Sequence, residues 1–398
     1  MIEKIFVLDR PGLFFAFVFL FSGIFSIAYA IPTVRISRRR YYINVIGILL
    51  SSLLLSITRN LLLMYILFEL ITIFSWRIIG VEGEEDKKKD ATYMVIFNLV
   101  SASFFLLGIA RIYAINGVLE EGILKGVSEL KLDIPSSILI LVGLFTKACV
   151  FPFHVWLLRA YRSIFSAAGG IFAGIAELSA VVIFYRVFAN VREFYSLFFV
   201  LMAIAVFSSI LGGVLSWMSE DTRRFLAFST VSQISFIILG LLLGSSEGII
   251  GAFLLMLSTA IAKPGLFYSI GIMEDYFSTT KIKGIHGFSS ISKPLSFGFV
   301  LLGFGMAGIP PSLGFFGKLL VLIGIFRISW VIGIAGIISS ILTFLYIIRF
   351  YTTTFLGKEE EKKRVSGYLV FISVLLGILL ILSGIFYRIP YDFLGGML

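Results

Sequence analysis

The sequence predicts an all-α polytopic membrane protein of about 12 transmembrane helices, ten of them forming two inverted five-helix repeats that each contain a broken helix. Three observations carry that prediction. Of the 398 residues, 59% are hydrophobic and 14% are charged, whereas soluble domains run at about 45–50% apolar and about 25% charged. So few charges cannot cover a water-facing surface of this size. Apolar stretches close to the roughly 20 residues that a bilayer-crossing helix needs follow one another along the chain. Prolines and glycines interrupt two of these stretches in the middle.

The stretches lie near 12–31, 43–58, 60–79, 91–113, 136–154, 167–188, 195–217, 225–244, 249–273, 295–326, 329–351 and 366–386. The first is too long, and too poor in small residues at a cleavage position, for a removable signal peptide, and is read as a helix. The least apolar piece, 114–134, spaces Val118, Ile123, Leu124, Val127, Leu130 and Leu132 between charges, the pattern of an amphipathic helix lying along the interface. In the tenth stretch Gly308-Ile309-Pro310-Pro311 is followed by Gly314 and Gly317. Proline removes a backbone donor and clashes with the preceding turn, so two half-helices with an unwound joint are expected here. Such a joint survives at membrane depth only where protein or a water-lined cavity satisfies its backbone. The fifth stretch is a milder case, with Pro152 after Lys147 and a run containing Gly169-Gly170 beyond a short polar gap. The chain then divides into 1–42, a first helix and basic cytoplasmic loop; 43–188 and 189–351, the two repeats; and 352–398, a cytoplasmic loop and last helix.

Lys and Arg number 33 against 23 Asp and Glu, a net charge of +10. Sorted by loop, twenty fall on one side: Arg35, Arg38, Arg39, Arg40, Arg77, Lys87, Lys88, Lys89, Arg159, Arg162, Arg223, Arg224, Lys281, Lys283, Lys293, Arg349, Lys358, Lys362, Lys363 and Arg364. Ten fall on the other: Lys4, Arg10, Arg59, Arg111, Lys125, Lys131, Arg186, Arg192, Arg327 and Arg388. The positive-inside rule places the larger set in the cytoplasm and both termini outside. It also accounts for the basic excess, so no nucleic-acid partner is expected. One cysteine, Cys149, and two separated histidines, His154 and His286, leave no disulfide, iron–sulfur cluster, Cys-based zinc site or bis-histidine haem. No metal and no cofactor is expected.

Three basic residues remain, Lys147, Lys263 and Lys318, each inside an apolar stretch, and Glu69 and Glu177 are the acids placed in the same way. An ionisable group at membrane depth costs at least about 2.5–3.5 kcal/mol on insertion scales and marks an ion or proton pathway by default. Lys147 stands just before Pro152 and Lys318 just after Pro310 and Pro311, and broken segments in corresponding positions of two halves point to a transport site. Polar residues extend the row: Asn98 with Ser101, Ser229 to Gln233, and Ser258 with Thr259 a turn before Lys263. Each alone fits interhelical hydrogen bonding; together they suggest a hydrated track. His154 is read as a proton gate or shuttle, with a structural place beside Trp156 as the alternative.

These motifs resemble the antiporter-like subunits of respiratory complex I and their relatives in Mrp-type cation/proton antiporters and energy-converting membrane-bound hydrogenases. The resemblance rests on Asn60-Leu61-Leu62 with Glu69, on Phe145-Thr146-Lys147 with Pro152-Phe153-His154-Val155-Trp156, on Asp221-Thr222-Arg223-Arg224 through Thr230, and on Gly308-Ile309-Pro310-Pro311 with Gly314-Phe315-Phe316-Gly317-Lys318. It implies that Glu69 is the carboxylate paired with Lys147, that Lys263 is the central lysine of the second half, and that Lys318 is the terminal lysine. Aligned on these motifs, the chain looks like a form lacking the family's first two helices. It departs from the pattern at Glu177 or Leu178, where the family usually has lysine, and at Pro264 directly after Lys263.

The resemblance implies an ion-translocating subunit, for H+ and/or Na+, with neighbouring membrane subunits and lipid around it, peripheral redox subunits coupled indirectly, and no redox centre of its own. The few Gln, Asn and Cys residues and runs such as Glu359-Glu360-Glu361-Lys362-Lys363-Arg364 resemble the depletion of thermolabile residues in hyperthermophiles. They favour a hydrogenase-type or sulfur-reducing complex. A non-conducting connector of the same complex, a subunit of an Mrp-type antiporter and a stand-alone transporter are the competing readings.

Overall fold

The computed structural model describes residues 5–35, 37–79, 85–118, 126–127, 130–188, 195–359 and 364–396. Ten of its helices are long and apolar enough to cross a membrane: α1 (Arg10–Thr33), α2 (Arg38–Ile57), α3 (Leu61–Ile79), α4 (Glu85–Ile115), α7 (Ser166–Phe188), α8 (Tyr195–Met218), α9 (Thr222–Leu242), α10 (Ser246–Phe277), α13 (Trp330–Thr354) and α14 (Gly367–Ile385). Two further traverses are each made of two short helices, α5 (Ile134–Lys147) with α6 (Val155–Ser163), and α11 (Lys293–Ala307) with α12 (Leu313–Phe326). A short α15 (Arg388–Gly395) follows α14. Among the described residues β pairing is confined to isolated bridges at loop ends, such as Phe6 with Thr58.

Both broken traverses are where the prolines predicted them, and the first is broken more sharply than expected. Helix α5 stops at Lys147, and residues 148–154 are not helical. The residue before a proline is pushed out of the α region, and Cys149 adopts a left-handed φ of 55°. The freed backbone groups find protein partners, as an apolar medium demands. The Trp156 indole donates to the Thr146 carbonyl at 2.7 Å, and Ser208 Oγ accepts from the Phe151 amide at 3.0 Å. In the second break Gly308 takes a φ of 75°. The Gly308 and Ile309 amides both donate to the Phe304 carbonyl, which also accepts from Ser312 Oγ at 3.1 Å.

Three helices form the centre. In α7 and α10 the whole apolar window is enclosed by protein, and α9 is nearly so, which fits helices that are hydrophobic all round. The other long helices bury about one face, with large side chains such as Phe17, Ile46, Leu107, Val200 and Ile341 left exposed where lipid would lie. Between Ile171 and Glu177 the helix α7 passes through a π turn, Phe172–Ala176; such single-turn bulges are frequent at functional sites.

Ion pairs close the two rims, and each basic partner stays within the loop set to which the sequence assigned it. On one rim Asp9 pairs with Arg59 and Arg186, Asp133 with Arg111, and Glu247 with Arg327. On the other Asp90 pairs with Arg162, Glu274 with Arg223, and Glu220 with Lys283. Asp90 and Glu274 are also buried and the Arg186 side chain is 6% exposed, so the enclosed charges exceed the five expected. These three lie near helix ends, where a rim partner reaches them. The proposed interfacial helix over 114–134 falls mostly outside the described residues; within them α4 ends at Ile115, and Val127 donates to the Arg59 carbonyl at 2.9 Å. Lys4, Lys125, Arg192, Lys362 and Lys363 also lie outside the described residues.

Asp9 is the most connected of these carboxylates, because it also caps α1 through the Gly12 amide at 2.8 Å. Burial alone would raise its carboxyl, but hydrogen bonds and charge from Arg186 and Arg59 outweigh burial and hold it at about 2. A folded value below the unfolded one, about 3.9, means that the pairing stabilises the chain at neutral pH. That contribution is lost as the pH falls from about 4 to about 2. Asp9→Asn is expected to cost about 2 kcal/mol at neutral pH, the scale of a hydrogen bond to a charged group, and to flatten the acid limb of thermal stability in detergent. An acid limb identical to wild type would contradict this account.

Candidate functional site: a buried row of lysines and glutamates

The two broken helices place a lysine at each break. Lys147 is the last residue of α5 and is buried. Its ammonium donates to Thr72 Oγ1 on α3 at 2.5 Å and sits 5.2 Å from the Phe68 ring centroid. Glu69 is half-buried, one turn before Thr72 on the same helix. The charges of Glu69 and Lys147 interact, but among the described residues no ion pair within 4 Å joins them. Thr72, not Glu69, holds the lysine in this structure. Lys318, on α12, reaches back across the second break to the Ala307 carbonyl at 3.3 Å. Both ammonium groups therefore lie at the carbonyl end of a half-helix, where the backbone dipole favours a cation.

Lys263 lies between these two along the sequence and is fully enclosed on α10. It donates to Ser229 Oγ at 2.6 Å and to the Leu226 carbonyl at 2.9 Å, both on α9. Ser229 and Thr230 also donate to that carbonyl, and Thr230 Oγ1 lies 3.2 Å from the Tyr161 hydroxyl. Next to this network stands Glu177, directly after the π turn of α7 and 0% exposed. Its charge interacts with both Lys147 and Lys263. Although Tyr161 is close enough to influence it, neither Glu177 carboxyl oxygen has a hydrogen-bond partner.

The structure thus places Glu177 within electrostatic reach of both Lys147 and Lys263, without a direct bond to either. Ser258 links α10 to the second break through the Gly305 carbonyl at 3.4 Å; Thr259 beside it is buried. Pro152 lies in the first break, and Pro310 and Pro311 lie in the second. Asn98 turns inward to its own helix, donating to the Met94 carbonyl at 2.8 Å, and its Oδ1 has no partner. His154 sits at the start of α6 between the Phe151 and Phe228 rings; its Nδ1 is buried without a partner. It makes no direct link to Lys147. Thr72 and Tyr161 were missed in the sequence, although Thr72 stands three residues after Glu69 on one helix face; Thr230 belongs to the polar cluster of α9 already singled out there. Among the described residues no cluster of His, Cys, Asp and Glu has the arrangement of a metal site.

Enclosed helices, two broken traverses and a row of buried lysines and glutamates define a polytopic membrane protein of the antiporter-like kind. Comparison with known proteins agrees. Residues 58–345 match the family model described as NADH:quinone oxidoreductase/Mrp antiporter, transmembrane, and the chain belongs to this family. It is 30% identical over 352 residues to the NADH-quinone oxidoreductase subunit N of Desulforudis audaxviator, covering 84% of this chain and 70% of that protein. The fold matches a chain of the Mrp complex from Dietzia sp. DQ12-45-1b with a TM-score of 0.88 at 21% identity, covering 98% of this chain and 83% of that one. A chain of an archaeal membrane-bound sulfane sulfur reductase matches with a TM-score of 0.87 at 19% identity, covering 98% and 82%.

A buried carboxyl without a protein hydrogen-bond partner costs stability, and residues kept against stability concentrate at functional sites. Glu177→Leu, of similar volume, is expected to raise stability by about 1–3 kcal/mol, read as a higher midpoint of thermal unfolding in detergent. A lower midpoint would show that Glu177 is a structural group.

Proposed function

We propose that the chain is an ion-translocating subunit, for H+ and/or Na+, of a respiratory-type membrane complex of the hydrogenase or sulfur-reducing kind. One observation carries the reading: Lys147, Glu177, Lys263 and Lys318, on four helices, are all buried among apolar side chains, and Glu69 stands one turn from the group that holds Lys147. Burial favours a neutral amine, and a carboxylate at contact distance favours an ammonium. Movement of Lys147 between Thr72 and Glu69 then loads and unloads a proton, driven by neighbouring subunits. The proton passes to Lys263 and Lys318, with Glu177 acting where relatives of this type usually have a lysine and Ser229, Thr259 and bound waters bridging the gaps. Asn98 and His154 hydrate or gate the first half of the route.

The opposite senses in which the two broken traverses run between the rims support a division into inverted repeats over 43–188 and 189–351. In this reading the rim with twenty basic residues faces the cytoplasm. Other membrane subunits and lipid cover the exposed apolar faces, and redox subunits act from a distance.

Lys263→Ala and Lys318→Ala, each in the complex purified whole through a tag on this chain and rebuilt into vesicles, are expected to slow ion transport by at least roughly tenfold, about 1.4 kcal/mol of barrier. A sodium-for-proton exchange of the bathing medium identifies the ion moved. Transport at the wild-type rate in both variants, with assembly intact, would make the chain a sealing connector.

A further inference from the structure

Helix α1 carries Ser22, Ser26 and Tyr29 on one face, at spacings of four and three residues, and all three are almost wholly buried. They pack against α7 and α10. The Tyr268 hydroxyl on α10 donates to Ser26 Oγ at 2.7 Å, and the Tyr29 hydroxyl donates to the Tyr268 carbonyl at 3.2 Å. The two tyrosine rings stack with centroids 4.0 Å apart. The remaining hydroxyls are unspent: neither Ser22 Oγ nor the buried Tyr41 hydroxyl, which lies within electrostatic reach of Tyr268, has a hydrogen-bond partner.

Two glycines on α7 leave room for this row. A β-carbon on Gly170 would stand 2.3 Å from the Tyr268 hydroxyl, and one on Gly174 would stand 1.9 Å from Ser22 Oγ. Each end of the row meets an ionisable group. Toward one rim, Ser166 Oγ packs against Gly271 near Tyr29 and accepts from Arg223 at 3.3 Å; Arg223 is paired with Glu274, which also accepts from Thr222. Toward the membrane centre, Gly174 lies three residues before Glu177, whose carboxyl oxygens are both unpartnered.

Hydroxyls that serve only as glue between helices use their protons on fixed acceptors. Here Ser22 Oγ, packed against Gly174, and the carboxyl oxygens of Glu177, three residues further along α7, are left without hydrogen-bond partners, and Gly170 and Gly174 let the hydroxyl row lie directly against α7. We propose that this seam is a proton-access branch that joins the Arg223–Glu274 rim to Glu177, separate from the lysine row. A hydroxyl both donates and accepts, so a proton that enters from rim water is accepted by one oxygen as that group releases its own proton to the next, directly or through a water. Each hydroxyl ends as it began, and the Glu177 carboxylate becomes a carboxylic acid. The inference rests on the reading of Glu177 as part of an ion pathway.

The test follows the infrared response of the Glu177 carboxyl after a pH jump, in the complex purified whole; the signal is identified by its loss in Glu177→Gln. Ser22→Ala and Tyr268→Phe keep the packing and remove one oxygen each. Each is expected to slow the response roughly tenfold, which corresponds to about 1.4 kcal/mol. Ser137→Ala, which removes a buried unpartnered hydroxyl on α5, is expected to leave the response unchanged. A Glu177 carboxyl that does not respond to pH, an unchanged rate in both seam variants, or an equal slowing in Ser137→Ala overturns the branch. Unchanged response in the seam variants together with transport lost in Lys263→Ala would remove the branch and leave the lysine row standing.

Discussion

The absence of water in a bilayer core requires that every polar group at membrane depth find its partner inside the protein, and the rest of this structure depends on that constraint. It explains why the two breaks are possible at all. Trp156 and Ser208 serve the first break, and Ser312 and the Gly308 turn serve the second. The same requirement bears on the lysines, because each ammonium at a break needs a protein acceptor, Thr72 Oγ1 for Lys147 and a carbonyl left by the break, that of Ala307, for Lys318.

Charge is distributed in two ways that serve different ends. At the rims it is paired across helices, as in Asp90 with Arg162 and Asp9 with Arg59 and Arg186, and these pairs hold neighbouring traverses in register. Inside, the charged groups sit on the helices most enclosed by protein or face them. Glu177 is on α7 and Lys263 is on α10, held by α9. Of the lipid-facing helices, α14 holds no Asp, Glu, Lys or Arg and α13 holds only Arg349, in its last two turns. The groups proposed to carry charge are themselves buried within the protein.

Much of the fold was legible because membrane helices are written in long apolar runs. Twelve traverses, the joint at Pro310 and Pro311, and the three embedded lysines all follow from single residues standing out against an apolar background. The sharper break at 148–154 was harder to see, because its cause lies partly in tertiary bonds to Trp156 and Ser208 rather than in Pro152 alone. Thr72 and Tyr161 were not legible as site residues, since a hydroxyl on an apolar helix has the same appearance whether it bonds to its own backbone or to a group on another helix. Nor does any local pattern announce the π turn at 172–176. Glu274 and Asp90 sit so close to charged loops that their burial emerges only once the helices are packed.

The Leu226 carbonyl has a consequence of its own. A carbonyl oxygen has two lone pairs, yet Lys263, Ser229 and Thr230 all direct donors at this one. Three side chains therefore compete for an acceptor that fully serves two. In the proposed relay, Lys263 stops competing as a cation once it gives up its proton, and the hydroxyls inherit a stronger acceptor. Thr230, which also touches Tyr161, is then drawn toward its own backbone. The occupancy of one lysine is in this way translated into the orientation of a neighbouring hydroxyl, a change of direction rather than of position, and one that needs no helix to move.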